Sequence, residues 1–234
     1  MKIIIDSEIF SAQTRGGISR HFSVLIKYLN LKKNIKINLN STFHSNFHLK
    51  EEKLGIFLLP KLRRLTRIFL YFKRFISPNA DIIHHTFYYK SIKKATIPMV
   101  TNAYDMIPEN GLTKNIDPYL IEAKYKSFKL SDAIVCISNF TKEELLKFYP
   151  EFKNKVHKIH LGASNQWALD TNYKYQNFFK KNKQKFITHI GNRHQYKNAS
   201  FLIDLLTNIE NIDLVYIGGE KPSFKEIEKI NKYQ

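Results

Sequence analysis

Apolar positions along this chain fall into short continuous runs separated by helical stripes. "KIIID" (2–6) is an apolar run closed by an aspartate, the pattern of a short buried strand. A polar loop follows and ends in Gly16-Gly17. Ile18, Phe22, Leu25, Ile26 and Leu29 then recur at helical spacing and predict an amphipathic helix. "KINLN" (36–40) predicts a second strand, and the polar, histidine-rich residues 41–53 predict a loop. In "KLRRLTRIFLYFKRFI" (61–76), Leu62, Leu65, Phe69, Phe72 and Ile76 share one helical face, and Arg63, Arg64, Arg67 and Arg74 the other. That segment predicts a basic amphipathic helix with no acidic residue in it.

The alternation continues. "DIIHH" (81–85) and "PMVTNAYD" (98–105) read as strands, each ending in a polar cluster. Residues 118–131 read as a helix and "DAIVCIS" (132–138) as another buried strand. "NFTKEELLKFYP" carries an N-cap signal at Asn139 or Thr141, Glu143 and Glu144 in its first turn, and a stop at Pro150. "KVHKIHLG" (155–162) closes the block. Residues 163–184 lack periodicity. The pattern then restarts: strand "KFITHIG", helix "NASFLIDLLTNI", strand "DLVYIGG", helix "SFKEIEKINKY". Strands alternating with helices predict an α/β chain with parallel sheets. The restart predicts a second sheet. The expected organisation is an N-terminal Rossmann-like domain over 1–163, a linker over 164–184 and a partial C-terminal domain over 185–234.

Composition narrows the classes. With 43% hydrophobic residues, a core is expected rather than global disorder. Cys136 is the only cysteine, so a disulfide framework and a cysteine-based zinc site are both excluded, and a reducing, cytoplasmic compartment is expected. No run reaches the roughly 18 apolar residues of a membrane span, and "MKIII" is too short for a signal peptide. Lys and Arg outnumber Asp and Glu by 38 to 20, a net charge of +18. Such a surplus attracts polyanions: nucleic acid, anionic lipid or phosphorylated substrates. The aromatics mostly fall in apolar periodic faces rather than on a polar β-surface, which disfavours stacking on nucleic acid. No specific nucleic-acid partner is expected. His84-His85 ends a strand without carboxylate partners in sequence, and no metal site is expected.

Three strand-to-helix turns carry glycine: Gly16-Gly17, Gly191 and Gly218-Gly219. Helix N-termini have unpaired N–H groups, and glycine lets a backbone approach a phosphate. Neither a GxGxxG nor a Walker A pattern is present, which disfavours dinucleotide oxidoreductases and P-loop enzymes. Arg193 and Lys197 stand four apart on one of these turns. An arginine fork beside a mobile lysine charge suits a diphosphate and the charge on a departing one; two solvated surface cations are the alternative. Asp105 ends an apolar run, where a loop-capping aspartate is an ordinary reading.

These residues together resemble family 4 retaining glycosyltransferases. "GNRHQYKN" is similar to the G-x-R-x-x-x-K-N element that opens that family's second domain. "QTRGGISRHFSVLIKYL" resembles its N-terminal glycine loop and first helix, and "HHTFYY" (84–89) its H-x-T-Y-Y element. "NAYDMIPE" resembles H-D-M-I-P-E, and "SDAIVCISNFTKEELLKFYP" a further family segment. The resemblance implies a glycosyltransferase-B fold, two Rossmann-like domains facing across a cleft, the second incomplete here. It implies transfer of a hexose, with mannose from GDP-mannose favoured, from a nucleotide-diphosphate sugar to a glycan or lipid-linked glycan in surface-polysaccharide assembly. It implies no metal and no cofactor.

By position, Asp105, Arg193 and Lys197 would be catalytic. Gly16, Gly17, Gly191, Arg193, Lys197 and Gly218 would bind the donor. His85 and Tyr104 would lie on the acceptor side, Tyr104 standing where the family has histidine. The family's acidic E-x7-E element has no counterpart before Gln234, so the chain is expected to be a broken gene product, half of a split enzyme or a partial chain. A non-catalytic remnant is the alternative. Helix 61–76 is expected either to pack on its own protein or to touch anionic lipid at the inner face of the cytoplasmic membrane.

Overall fold

The computed structural model describes residues 1–39, 43–58, 79–89, 91–112, 117–162, 185–193, 197–206, 208–219 and 221–232. The chain divides into two units, Met1–Gly111 with Asn115–Gly162, and Leu112–Lys114 with Ala163–Gln234. The helix expected over 61–76 and the linker expected over 164–184 lie outside the described residues.

The first unit is built on a parallel sheet of β1 (Lys2–Ile5), β2 (Lys36–Leu39), β5 (Ile82–His85), β6 (Met99–Ala103), β7 (Ala133–Cys136) and β8 (Val156–Lys158), in the order β2-β1-β5-β6-β7-β8. Ile3 pairs with Ile37 on one side and Ile82 on the other, so β1 is an internal strand and its apolar run is enclosed. The chain moves from β1 outward to β2 and later returns to the opposite side of β1. The topological switch point therefore lies between β1 and β5, where open α/β sheets bind ligands at the carboxyl ends of their strands.

Helix α2 (Gly17–Asn30) follows the glycine pair and buries Phe22 and Ile26, two of its stripe positions. They meet Ile3 and Ile5 of β1 in one core cluster with Ile9, Phe10 and Leu49. A second cluster gathers Ala103, Phe128, Ile134, Cys136, Leu145 and Phe152 around β6 and β7. Helix α4 (Pro118–Leu130) starts on Asp117, whose carboxylate accepts from Tyr119 N at 2.9 Å, with proline at its first position. Its C-terminus is closed by Lys155, whose Nζ donates to the carbonyls of Phe128, Lys129 and Ser131 at 2.7, 3.0 and 2.8 Å.

Several local expectations are corrected. The polar stretch before Gly16 contains a short helix α1 (Glu8–Ala12), because Ile9 and Phe10 are buried in the core. Residues 41–53 are not a plain loop. They hold β3 (Phe43–His44), which pairs in parallel with β4 (Ile56–Phe57), and α3 (Phe47–Glu51). Asn46 caps α3 by accepting from His48 N and Leu49 N at 3.0 and 3.2 Å. Its amide also donates to Gln13 O at 2.7 Å, a tertiary bond with no sequence signature. Helix α5 (Asn139–Phe148) is capped by Ser138 rather than Asn139 or Thr141: Thr141 N donates to Ser138 Oγ at 3.0 Å. Past Tyr149 the chain continues as a 3₁₀ turn, Pro150–Lys155.

The second unit contains β9 (Lys185–Ile190) and β10 (Ile212–Ile217), paired in parallel from Lys185↔Ile212 to Ile190↔Ile217. Helix α6 (Ala199–Leu206) covers them with Ala199 and Ile203. Helix α7 (Phe224–Asn231) opens with a complete capping box between Ser223 and Glu226. Ile190 is 70% exposed and Phe224 82%.

Candidate functional site

In the first unit, His85 ends β5, and Tyr104 and Asp105 directly follow β6. Asp6 leaves β1 and is buried. Its Oδ2 accepts from His85 Nδ1 at 2.7 Å, and its Oδ1 accepts from Thr86 N at 2.9 Å and Thr86 Oγ1 at 2.5 Å. Thr86 Oγ1 in turn accepts from Ile9 N at 3.1 Å. Burial pushes the Asp6 carboxyl up, but the His85 and Thr86 contacts outweigh it and hold the group below the usual carboxylate range. His85 Nε2 is buried, with no hydrogen-bond partner among the described residues. His85 therefore sits beneath the sheet end as the partner of Asp6.

Beside it runs a second polar chain that sequence reading did not assemble. His84 Nε2 donates to Asn102 Oδ1 at 2.8 Å. Asn102 Nδ2 donates to the Tyr104 hydroxyl at 3.2 Å and reaches His21 Nε2 of α2 at 3.4 Å. Burial lowers the pKa of both His84 and His21, favouring neutral rings, and raises that of the Tyr104 phenol. Asn102 thus joins three elements: β5, β6 and α2. Its signal was available, since Asn102 ends an apolar run two residues before Tyr104, but the partners are 18 and 81 residues away in sequence.

Asp105 lies just past β6 with its side chain 48% exposed. Its Oδ1 accepts from Ile107 N at 3.2 Å, an Asx turn, and stands 3.8 Å from Lys124 Nζ. The two readings of Asp105 therefore coexist in one geometry, a capped turn with a solvent-facing carboxylate. Four residues on, Glu109 of the same "MIPE" stretch has a different setting. Lys124 Nζ donates to Glu109 Oε2 at 2.9 Å, and both side chains are 2% exposed. The signal for Lys124 was its place in the α4 stripe, four residues after Leu120 and four before Phe128.

Gly16 is the N-cap of α2, with extended backbone, and its carbonyl accepts from Arg20 N at 3.0 Å. Ser19 N of the first turn donates to Gln13 Oε1 at 3.3 Å, so a side chain from this unit already meets one of the turn's N–H groups. Among the described residues, no atom beyond its chain neighbours and its own helix backbone lies within 4 Å of where a Gly17 Cβ would stand.

In the second unit, the ends of β9 and β10 bring Gly191, Arg193, Gly218 and Gly219 together. Gly191 N donates to Ile217 O at 2.9 Å. Gly191, Gly218 and Gly219 all have positive φ. A Cβ on Gly219 would stand 3.0 Å from Gly191 O and 3.1 Å from Asn192 Cα, so only glycine lets the two turns lie together. Arg193 Nε donates to Glu226 Oε1 at 3.0 Å. Lys197 is exposed, at the turn leading into α6. His189 Nδ1 and Asn192 Oδ1, on the same strand end and turn, are buried and have no hydrogen-bond partner among the described residues.

Cys136 is buried in β7, which pushes its thiol up to about 11 and leaves it no nucleophilic role near neutral pH. Among the described residues, no group of three or more His, Cys, Asp or Glu side chains is placed to hold a metal, and no helix is long and apolar enough to cross a membrane.

Two Rossmann-like α/β units, each with a parallel sheet and glycine turns at its strand ends, make a fold of the glycosyltransferase-B type. The chain belongs to glycosyltransferase family 4: the model of Glycosyltransferase Family 4 matches residues 15–166, well over half of it. No curated protein matches the chain. Among solved structures, Anabaena HepE in complex with UDP and glucose is similar with a TM-score of 0.61 and 11% identity, over 100% of this chain and 64% of its own. The S. aureus MnaA–UDP structure follows with a TM-score of 0.55 and 14% identity, over 99% and 65%. The lipopolysaccharide outer core galactosyltransferase WaaB in its apo form has a TM-score of 0.55 and 13% identity, over 100% and 65%. At these identities the likeness is one of fold. The chain spans about two thirds of the length of each.

Proposed function

We propose that the protein transfers a hexose from a nucleotide-diphosphate sugar to a hydroxyl of a glycan or lipid-linked glycan, with retention at the anomeric carbon and without a metal. The family match over residues 15–166 carries this reading. The turn after β9 supports it, since an arginine among three positive-φ glycines at a strand end is a setting for phosphate oxygens. Arg193 and Lys197 hold the diphosphate and stabilise it as leaving group. Gly191 and Gly218 let it approach. Asp105 orients a substrate hydroxyl. Tyr104 offers its phenol on the acceptor side, and His85 acts from behind through Asp6 and Thr86. The place of work is surface-polysaccharide assembly at the inner face of the cytoplasmic membrane, with residues 61–76 toward anionic lipid.

HepE was solved with UDP and glucose, MnaA with UDP, and WaaB is a galactosyltransferase. UDP-glucose and UDP-galactose are therefore the donors to test beside GDP-mannose. Calorimetric titration of the full chain with all three is expected to select one. Arg193→Ala is expected to weaken that binding by at least about tenfold, the weight of a charge-assisted contact to phosphate. The variant should keep a cooperative unfolding transition, at a Tm lowered by the loss of the Glu226 contact. The reading fails if none of the three binds, or if Arg193→Ala binds as well as the unmodified chain.

A second reading is favoured by the exposed Ile190 and Phe224. In it the chain is a non-catalytic remnant or one half of a split enzyme, binding donor but turning over only when another polypeptide covers those side chains. Donor binding without release of nucleoside diphosphate in the presence of acceptor glycans separates the two.

A further inference from the structure

Arg193 is framed from two elements, α7 and β10. Its Nε donates to Glu226 Oε1 at 3.0 Å, with the two side chains 9% and 16% exposed. Its guanidinium carbon lies 5.4 Å from the centroid of the Tyr216 ring on β10. Each support is itself anchored. Glu226 Oε2 accepts from Ser223 N at 2.6 Å, and Glu226 N donates to Ser223 Oγ at 3.3 Å. The Tyr216 hydroxyl donates to Ala199 O at 2.8 Å, at the first residue of α6.

A carboxylate is an unexpected neighbour for a diphosphate-binding arginine. On charge alone, it repels the ligand and lowers the local positive potential. Its benefit is geometric. A guanidinium binds phosphate in a fork only when its plane is correctly turned, and a long arginine stem does not hold that plane unaided. A bond through Nε from a carboxylate fixed by a helix cap, with a ring against the face, restricts both the tilt and the rotation of the plane.

We propose that Glu226 is a positioning residue for Arg193, holding its guanidinium plane against Tyr216 in the attitude that takes a nucleoside diphosphate. This rests on the diphosphate reading of Arg193 given under Proposed function and adds to it how the arginine is set. Glu226 acts through Arg193 and does not touch the ligand.

The test is the affinity of the full chain for inorganic pyrophosphate and for UDP, with Tm recorded for every variant. Glu226→Ala removes a negative charge, so charge alone predicts tighter binding, whereas loss of positioning predicts weaker binding. We expect a weakening of about tenfold, with partial rescue by Glu226→Gln, which keeps an acceptor oxygen at the same length. Ser223→Ala breaks the helix cap alone and is expected to lower Tm while leaving affinity within about twofold. The proposal is overturned if Glu226→Ala binds as tightly as the unmodified chain or more tightly. It is also overturned if Ser223→Ala weakens binding as much as Glu226→Ala does, for then the cap and not the contact matters. Arg193→Ala separates the layers. If it binds as the unmodified chain does, or the unmodified chain binds neither probe, the diphosphate reading falls and this one with it. If Arg193→Ala loses binding while Glu226→Ala keeps it, only the positioning role falls.

Discussion

At the scale of single residues, the Lys124–Glu109 pair shows how a sequence motif divides its labour. In "DMIPE", Asp105 faces solvent while Glu109 is buried against a lysine from another element. Two charges at 2.9 Å that are both 2% exposed are costly to desolvate and costly to separate. Lys124→Met leaves Glu109 buried without its cation, and we expect it to destabilise the chain by about 3–5 kcal/mol in urea unfolding. Replacing both, as Lys124→Met with Glu109→Leu, is expected to restore most of that loss. If the single variant proves neutral, the pair does not hold the "MIPE" turn to α4. The turn-capping setting of Asp105 was legible from its motif. That of Glu109 was not, because its partner lies fifteen residues away and is recognised as inward-facing only from the α4 stripe.

At the scale of elements, apolar periodicity located the long helices and the main strands, since enclosure on both faces demands apolar runs and one-sided packing demands stripes. It missed α1, α3, β3 and β4, elements of two to five residues, too short for a period to show. The cap of α5 was misplaced by a residue or more because Ser138, Asn139 and Thr141 are all competent cap types and only backbone geometry selects among them. Ser138 sits in extended conformation with its Oγ on Thr141 N at 3.0 Å. Ser138→Ala should therefore cost about 1 kcal/mol, and Asn139→Ala much less. Equal losses at both positions in thermal unfolding would contradict the assigned cap.

At the scale of the whole molecule, three histidines couple stability to pH. His21, His44 and His84 have pKa values lowered first of all by burial. Unfolding returns them to about 6.5, so between that value and their lower folded values the unfolded chain binds more protons. Stability is then full above about pH 6.5 and falls as pH drops below it. Asp6 acts in a separate, more acidic window. Its folded pKa is lowered, so its contribution is present above about pH 4 and is lost only as pH falls through the folded value. We expect Tm to decline from pH 7 to pH 5, and His84→Asn to flatten part of that decline. A Tm that is level across this range, or a slope unchanged by His84→Asn, would show that these rings are not held neutral by the fold.

By itself the sequence determined the class of fold, the family, and which turns carry glycine and charge. Those properties are local: a run, a stripe or a spacing is complete within ten or twenty residues, and burial imposes it directly. Tertiary structure alone decided the partners. Nothing in "KIIID" says that Asp6 meets His85 79 residues later, or that Asn102 links His84 to His21. Nothing in "GNRHQYKN" says that Arg193 is gripped by a helix-capping glutamate 33 residues on. Hydrogen bonds and ion pairs form between whatever groups the packed elements bring within about 3 Å, and strand order, which is not written in any local pattern, sets that proximity.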